Sequence, residues 1–216
     1  MSDSQRKLSL LDRILSEADT VLRSLSQQAQ PPARPSPAEG HKDTALNEHE
    51  RRHISGLMRV NHTGEVCAQA LYQGQSLTAR LPDVREEMRA AAQEEADHLS
   101  WCAQRLDELD SRPSRLNPAW YGFSFMLGAA AGAIGDKWSL GFVAATEERV
   151  CQHLRAHLKS LPEDDRKSRL ILQQMLTDEE RHGHNALAAG GVDFPQPVKE
   201  TMSCLSKLMT ESSYWF

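Results

Sequence analysis

The chain has 216 residues, 39% of them hydrophobic and 25% charged, with a formal net charge of −5. That length suits one domain with a sizeable core, soluble or bound peripherally to a membrane. The acidic balance without a basic cluster argues against nucleic acid as a partner, and four scattered cysteines with no Cys-x-x-Cys pair indicate a reducing, cytoplasmic setting.

The first predicted element is an amphipathic helix from Ser4 to Leu25, with Leu8, Leu11, Ile14, Leu15, Ala18, Val21 and Leu22 at helical spacing. Residues 1–26 form this unit, which docks on the main domain or contacts a membrane or partner. Its acidic Asp3, Glu17 and Asp19 fit a mitochondrial transit peptide poorly, so a bacterial protein is expected. Residues 27–47 read as a Pro-rich linker, extended and mobile through Gln-Pro-Pro-Ala-Arg-Pro-Ser-Pro.

Residues 48–216 make the main domain. One helix is expected over Glu48–Ala79, a second from Pro82 to before Arg112-Pro113, and a third around Val143–Leu158, stopped by Pro162. A fourth runs from Glu163 or Asp164 to Ala189 and ends at Gly190-Gly191. No segment alternates with period 2, so the fold class is all-α: a ferritin-like four-helix bundle with a crossover helix and extra terminal helices.

The crossover is apolar. From Leu116 to Gly135 no residue is charged, a run close to the roughly 20 residues that span a bilayer. Asn117-Pro118 and the glycines oppose a span, leaving an interfacial helix as the leading reading and a buried crossover as the alternative. Phe123 and Phe125 would face lipid, with Trp120, Tyr121 and Trp138 at headgroup level.

A doubled pattern carries the chemistry. Glu65 precedes Glu95-x-x-His98 by 30 residues, and Glu147 precedes Glu179-x-x-His182 by 32. Glu and His three apart share one helix face, so each motif aims a carboxylate and an imidazole at one point. Four glutamates on otherwise apolar faces need neutralising, and two metal ions do so; oxygen-rich donors with one imidazole per metal favour iron or manganese over zinc. Glu95 and Glu179 are assigned as bridges, Glu65 with His98 and Glu147 with His182 as terminal ligands. Glu94, Glu148 and Glu180 leave the register open to neighbours. Asp97 and Asp178 are candidates to orient the histidines, against a solvated alternative. His153 and His62 are further candidates for the pocket, while His41, His49, His157 and His184 are read as surface residues.

Motif wording then adds a resemblance. Arg59-Val-Asn-His-Thr-Gly-Glu65 with Ala70-Leu-Tyr-Gln-Gly-Gln75 resembles the opening signature of the Coq7 family. Gln93-Glu-Glu-Ala-Asp-His-Leu99, Ala145-Thr-Glu-Glu148 and Asp178-Glu-Glu-Arg-His182 are similar to its other three, in order. Asn61 stands where many members carry Asp, without touching any ligand position. The resemblance spans about residues 48 to 213. It implies a di-iron monooxygenase of ubiquinone biosynthesis, with Glu65, Glu95, His98, Glu147, Glu179 and His182 as iron ligands and no further catalytic residue. O₂ would be co-substrate, and a polyprenylated demethoxy-ubiquinol would be hydroxylated on its ring. Further expected partners are a membrane surface, an electron donor and a quinone-synthesis complex, at the cytoplasmic face of a bacterial inner membrane. Competing readings are ferritin-like iron handling, peroxide scavenging, a di-iron hydroxylase acting on another substrate such as a modified tRNA base, or a non-catalytic subunit of such a complex.

Overall fold

A computed structural model describes residues 32–216, and the helix expected over Ser4–Leu25 lies outside them. Among the described residues there are six helices and no strand: α1 Glu48–Thr78, α2 Pro82–Glu108, α3 Asn117–Ile134, α4 Asp136–Ser160, α5 Arg166–Ala188 and α6 Gln196–Trp215. Local chemistry sets their ends. Asn47 caps α1, its Oδ1 accepting from Glu50 N at 2.9 Å while the Glu50 carboxylate accepts from Asn47 N. Pro82 opens α2, and Gly190 (φ +99°) closes α5.

The hairpins α1–α2 and α4–α5 close into a four-helix bundle through α2–α5 and α1–α4 contacts. Its interior is layered. Ile54, Met58, Trp101, Leu106, Leu154 and Met175 fill one end. Tyr72, Met88, Leu140, Val143 and Ala186 fill the other. All four glutamates and both histidines of the doubled pattern lie between these apolar layers, which fix the helices on either side of a polar middle.

The crossover α3 packs along α1. Ser124, Gly128 and Gly132 recur every four residues and let the backbones touch: a Cβ on Gly128 would collide with the Leu71 carbonyl, and one on Gly74 with Ala129 N at 2.7 Å. The opposite face leaves Phe123, Met126 and Ile134 exposed. Thus α3 has a buried side and an apolar outer side. Phe125 does not face outward as expected; it stacks on Tyr121, which is buried and hydrogen-bonded to Gln73 rather than lying at headgroup level. No helix of the described residues is long and apolar enough to cross a membrane.

Helix α6, whose position the sequence reading left open, returns across α1 and α4. Tyr214 lies over Gly56, where a Cβ would meet its ring at 2.5 Å, and its hydroxyl pairs with His53 Nδ1 at 2.7 Å.

The described part of the Pro-rich segment is seated on the bundle. Ala38 is buried, Asp43 pairs with Arg105 Nη1 at 2.7 Å and Lys167 Nζ at 3.1 Å, and Thr44 donates to the Asp164 carbonyl. Proline content favours extended backbone, but Arg34 and Asp43 find counter-charges on α2 and α5 that composition does not reveal.

Candidate metal centre

Six side chains from four helices converge. Glu65 (α1), Glu95 and His98 (α2), Glu147 (α4), and Glu179 and His182 (α5) are all buried. They form two overlapping groups whose donor atoms lie within 4.8 Å of one another and could each hold a metal ion: Glu65, Glu95, His98 and Glu179, and Glu95, Glu147, Glu179 and His182. Glu95 and Glu179 belong to both. His98 Nδ1 lies 3.1 Å from both Glu95 Oε2 and Glu179 Oε1, and His182 Nδ1 lies 3.3 Å from Glu95 Oε1 and 3.2 Å from Glu179 Oε2. Glu148 points outward to Lys199, and Glu180 to Arg155.

The donor set needs positive charge. Burial raises Glu65 well above the usual carboxylate range, with the Glu95 charge adding to it; burial and the Glu179 charge do the same to Glu147. Burial also opposes ionisation of Glu95, but hydrogen bonds from His182 and His98 hold it below that range. His182 is pushed up to about 11 against its own burial by Glu179 and Glu95. Protons or metal ions must therefore compensate four carboxylates in an apolar interior. Glu95 Oε1 and Glu179 Oε1 are moreover buried without an aligned hydrogen bond, as oxygens of shared metal ligands would be. The residues fit a two-metal site.

A second ring of contacts orients the imidazoles. With Nδ1 turned to the carboxylates, Nε2 is left to donate: His98 to Asp178 Oδ2 at 3.0 Å, His182 to Glu94 Oε2 at 2.8 Å. Asp178 thus has the expected orienting role. Asp97 does not, since it accepts instead from Ala33 N at 2.7 Å and Arg34 Nε at 2.8 Å. The buried Tyr72 hydroxyl donates to Glu147 Oε1. Tyr72 follows Glu65 by seven residues, two helical turns on the same face, a signal that could have found it. Glu94 gave no local signal, because its partner is on another helix. His153 pairs with Ser206 and His62 with Asn117, both apart from the six. His157 is half-buried against Asn61 Oδ1 at 2.9 Å, not a surface residue, because α1 covers that flank of α4.

One cavity of about 90 Å³ is lined by Tyr72, Glu94 and His182. An apolar one of about 140 Å³ lies among α1, α3, α4 and α6, lined by Gly64, Leu71, Trp120, Phe123, Phe142 and Met209. A wider one of about 470 Å³ between α4 and α5, of mixed polar and apolar lining, reaches Glu147 and Glu179 beside Cys151 and Gly183.

Residues 52–213 match the family described as "Ubiquinone biosynthesis protein COQ7". Among curated proteins, the chain is 62% identical over 211 residues to one from Pseudomonas paraeruginosa named 3-demethoxyubiquinol 3-hydroxylase, with 98% of each chain covered. Proteins of the same name from Azotobacter vinelandii and Ectopseudomonas mendocina are 61% and 60% identical over the same coverage.

Proposed function

The chain belongs to the Coq7 family, and from that premise we propose that it hydroxylates the ring of a polyprenylated demethoxy-ubiquinol in ubiquinone biosynthesis. The observation that carries this reading is the pair of overlapping Glu/His groups sharing Glu95 and Glu179. Glu65, His98, Glu147 and His182 would be terminal ligands of two iron ions, with Glu95 and Glu179 bridging them. Iron bound there would supply O₂ activation, one oxygen atom entering the ring C–H bond and the other leaving as water, with two electrons from a separate donor and two protons from solvent.

The chain's own residues do the rest. Asp178 and Glu94 hold the two imidazoles in one tautomer and orientation. Tyr72 fixes the Glu147 carboxylate. The apolar layers above and below shield the polar middle at both ends. The cavity lined by Leu71, Trp120 and Phe123 suits a prenyl chain and opens beside the outer face of α3. That face, with Phe123, Met126 and Ile134 exposed, supports a peripheral seat on the cytoplasmic side of the inner membrane, where a lipid-soluble quinol resides.

An iron-storage or peroxide-scavenging role would leave the apolar cavity and outer face of α3 without use. Deletion of the gene followed by quinone extraction tests the assignment. Accumulation of the demethoxy quinone, reversed by the wild-type chain but not by Glu179→Ala, is the expected result. A normal quinone pool would overturn it.

A further inference from the structure

We propose that Arg34, in the segment that precedes the family-matched residues 52–213, is a positioning residue for the metal held by His98, acting through Asp178. The inference rests on the two-metal reading of the site and concerns only one of the two metals.

Arg34 reaches two aspartates on different helices. Its Nε donates to Asp97 Oδ2 on α2 at 2.8 Å, and its Nη1 to Asp178 Oδ2 on α5 at 2.9 Å. Asp178 Oδ2 is the same oxygen that takes the His98 Nε2 proton at 3.0 Å. The other oxygen, Oδ1, accepts from Gln174 and Arg181, each at 3.2 Å. Asp178 is thus held from three sides, and its rotamer dictates how His98 presents Nδ1 to Glu65, Glu95 and Glu179.

Arg34 is itself fixed in place. Ala33 N donates to Asp97 Oδ1 at 2.7 Å, Trp101 Nε1 donates to the Arg34 carbonyl at 3.2 Å, and the guanidinium lies 5.0 Å from the Trp101 ring centroid. The Trp101 ring in turn packs 5.3 Å from that of His98. Both aspartate side chains are nearly buried, 4% and 6% exposed, so a planar fork that bridges them carries more than a point charge would.

The second imidazole is held differently. His182 donates to Glu94, which is paired with Arg181 at 2.6 Å, and all three belong to the bundle. The segment before the bundle therefore touches one half of an otherwise two-fold arrangement. Loss of Arg34 removes a donor from Asp178 Oδ2, the oxygen that takes the His98 proton, while the Glu94–His182 contact loses no partner of its own.

The test is anaerobic Fe(II) titration of the metal-depleted full chain against a competing chelator, with thermal melting run alongside. Wild type should take up two equivalents. Arg34→Gln should weaken one of them by about 10–100-fold, the range for loss of an outer-sphere partner of a metal-bound histidine, and leave the other within about threefold. Arg34→Lys keeps the charge without the fork and should fall between; it serves if Arg34→Gln fails to fold. Two unchanged equivalents in both variants, or equal weakening of both, would overturn the role of Arg34 while leaving the two-metal reading intact. Uptake of fewer than two equivalents by wild type would strike that reading itself, and this inference with it.

Discussion

Asp178 on α5 accepts the Nε2 proton of His98 on α2 at 3.0 Å, across the interface between the two hairpins. The reciprocal contact joins Glu94 on α2 to His182 on α5 at 2.8 Å. Each acid directly precedes the glutamate of its own Glu-x-x-His and serves the histidine of the other. The two hairpins are thereby tied at the site, and neither half is oriented without its neighbour. Asp178→Ala and Glu94→Ala should each lower iron affinity by about 10–100-fold although neither residue is a ligand. Metal analysis after gel filtration checks this, and full iron content in both variants would count against the crossed arrangement.

Tyr72 links the apolar layer to Glu147. Tyr72→Phe keeps the ring in its buried slot but leaves Glu147 Oε1 without that donor. In metal-depleted protein this should cost about 0.5–1.5 kcal/mol, the range for a hydrogen bond between neutral groups, because burial holds Glu147 above the usual carboxylate range. Iron loading should shrink the difference, because a metal ion would then satisfy the carboxylate. Urea unfolding of both forms measures it, and equal stability of the two metal-depleted chains would show that the hydroxyl contributes nothing.

How much of this was legible in the sequence differs by feature. Four bundle helices, the Pro82 start, the Gly190 stop and the Glu-x-x-His pairs follow from periodicity and the i,i+3 spacing, because those depend on one helix at a time. Gly190 could be read as a stop because a residue at φ +99° favours glycine. What stayed hidden depends on partners far apart in sequence. Arg34 bonds across 63 residues to Asp97 and 144 to Asp178, and Glu94 across 88 to His182. Phe125 and Met126 are adjacent and both apolar, so only the packing of α3 on α1 decides which one turns inward.

That packing gives a steric prediction. Gly128→Val would drive a side chain into the Leu71 carbonyl, and backbone cannot yield as a flexible side chain can. The variant should lose about 1–3 kcal/mol or more, or fail to accumulate as soluble protein, as overpacked contacts do. Gly64→Ala is the matched control. Nothing lies within 4 Å of its added carbon, so its melting temperature should equal or exceed wild type, helped by better helix propensity. A Gly128→Val protein that melts like Gly64→Ala would contradict the close approach of α1 and α3.

The outer face of α3 makes a prediction about membranes. Phe123→Glu with Met126→Glu changes two exposed side chains, and should reduce sedimentation with phosphatidylethanolamine–phosphatidylglycerol vesicles at least tenfold while sparing the melting temperature. Phe125→Glu should act the other way round, lowering stability, because Phe125 packs on Tyr121 inside the fold. Unchanged vesicle binding by the double variant would remove α3 as the contact.

Acid sensitivity should trace in part to two histidines outside the metal centre. Burial pushes His62 down to about 4, and burial with the neighbouring His153 and His53 pushes His157 to about 4 as well. Both stand below the ordinary value of 6.5, so the unfolded chain binds their protons more readily than the folded one. Their contribution is fully present above pH 6.5 and is lost as pH falls from there to about 4, where the folded protein also takes up the protons. The loss is at most about 3 kcal/mol for each, and less for the half-buried His157. His62→Asn and His157→Gln should flatten the decline of unfolding free energy between pH 6.5 and 4 relative to wild type. Both chains are compared metal-depleted, so that the carboxylates of the centre titrate alike and cancel in the difference. Parallel curves for wild type and both variants would rule these histidines out as the source of acid sensitivity.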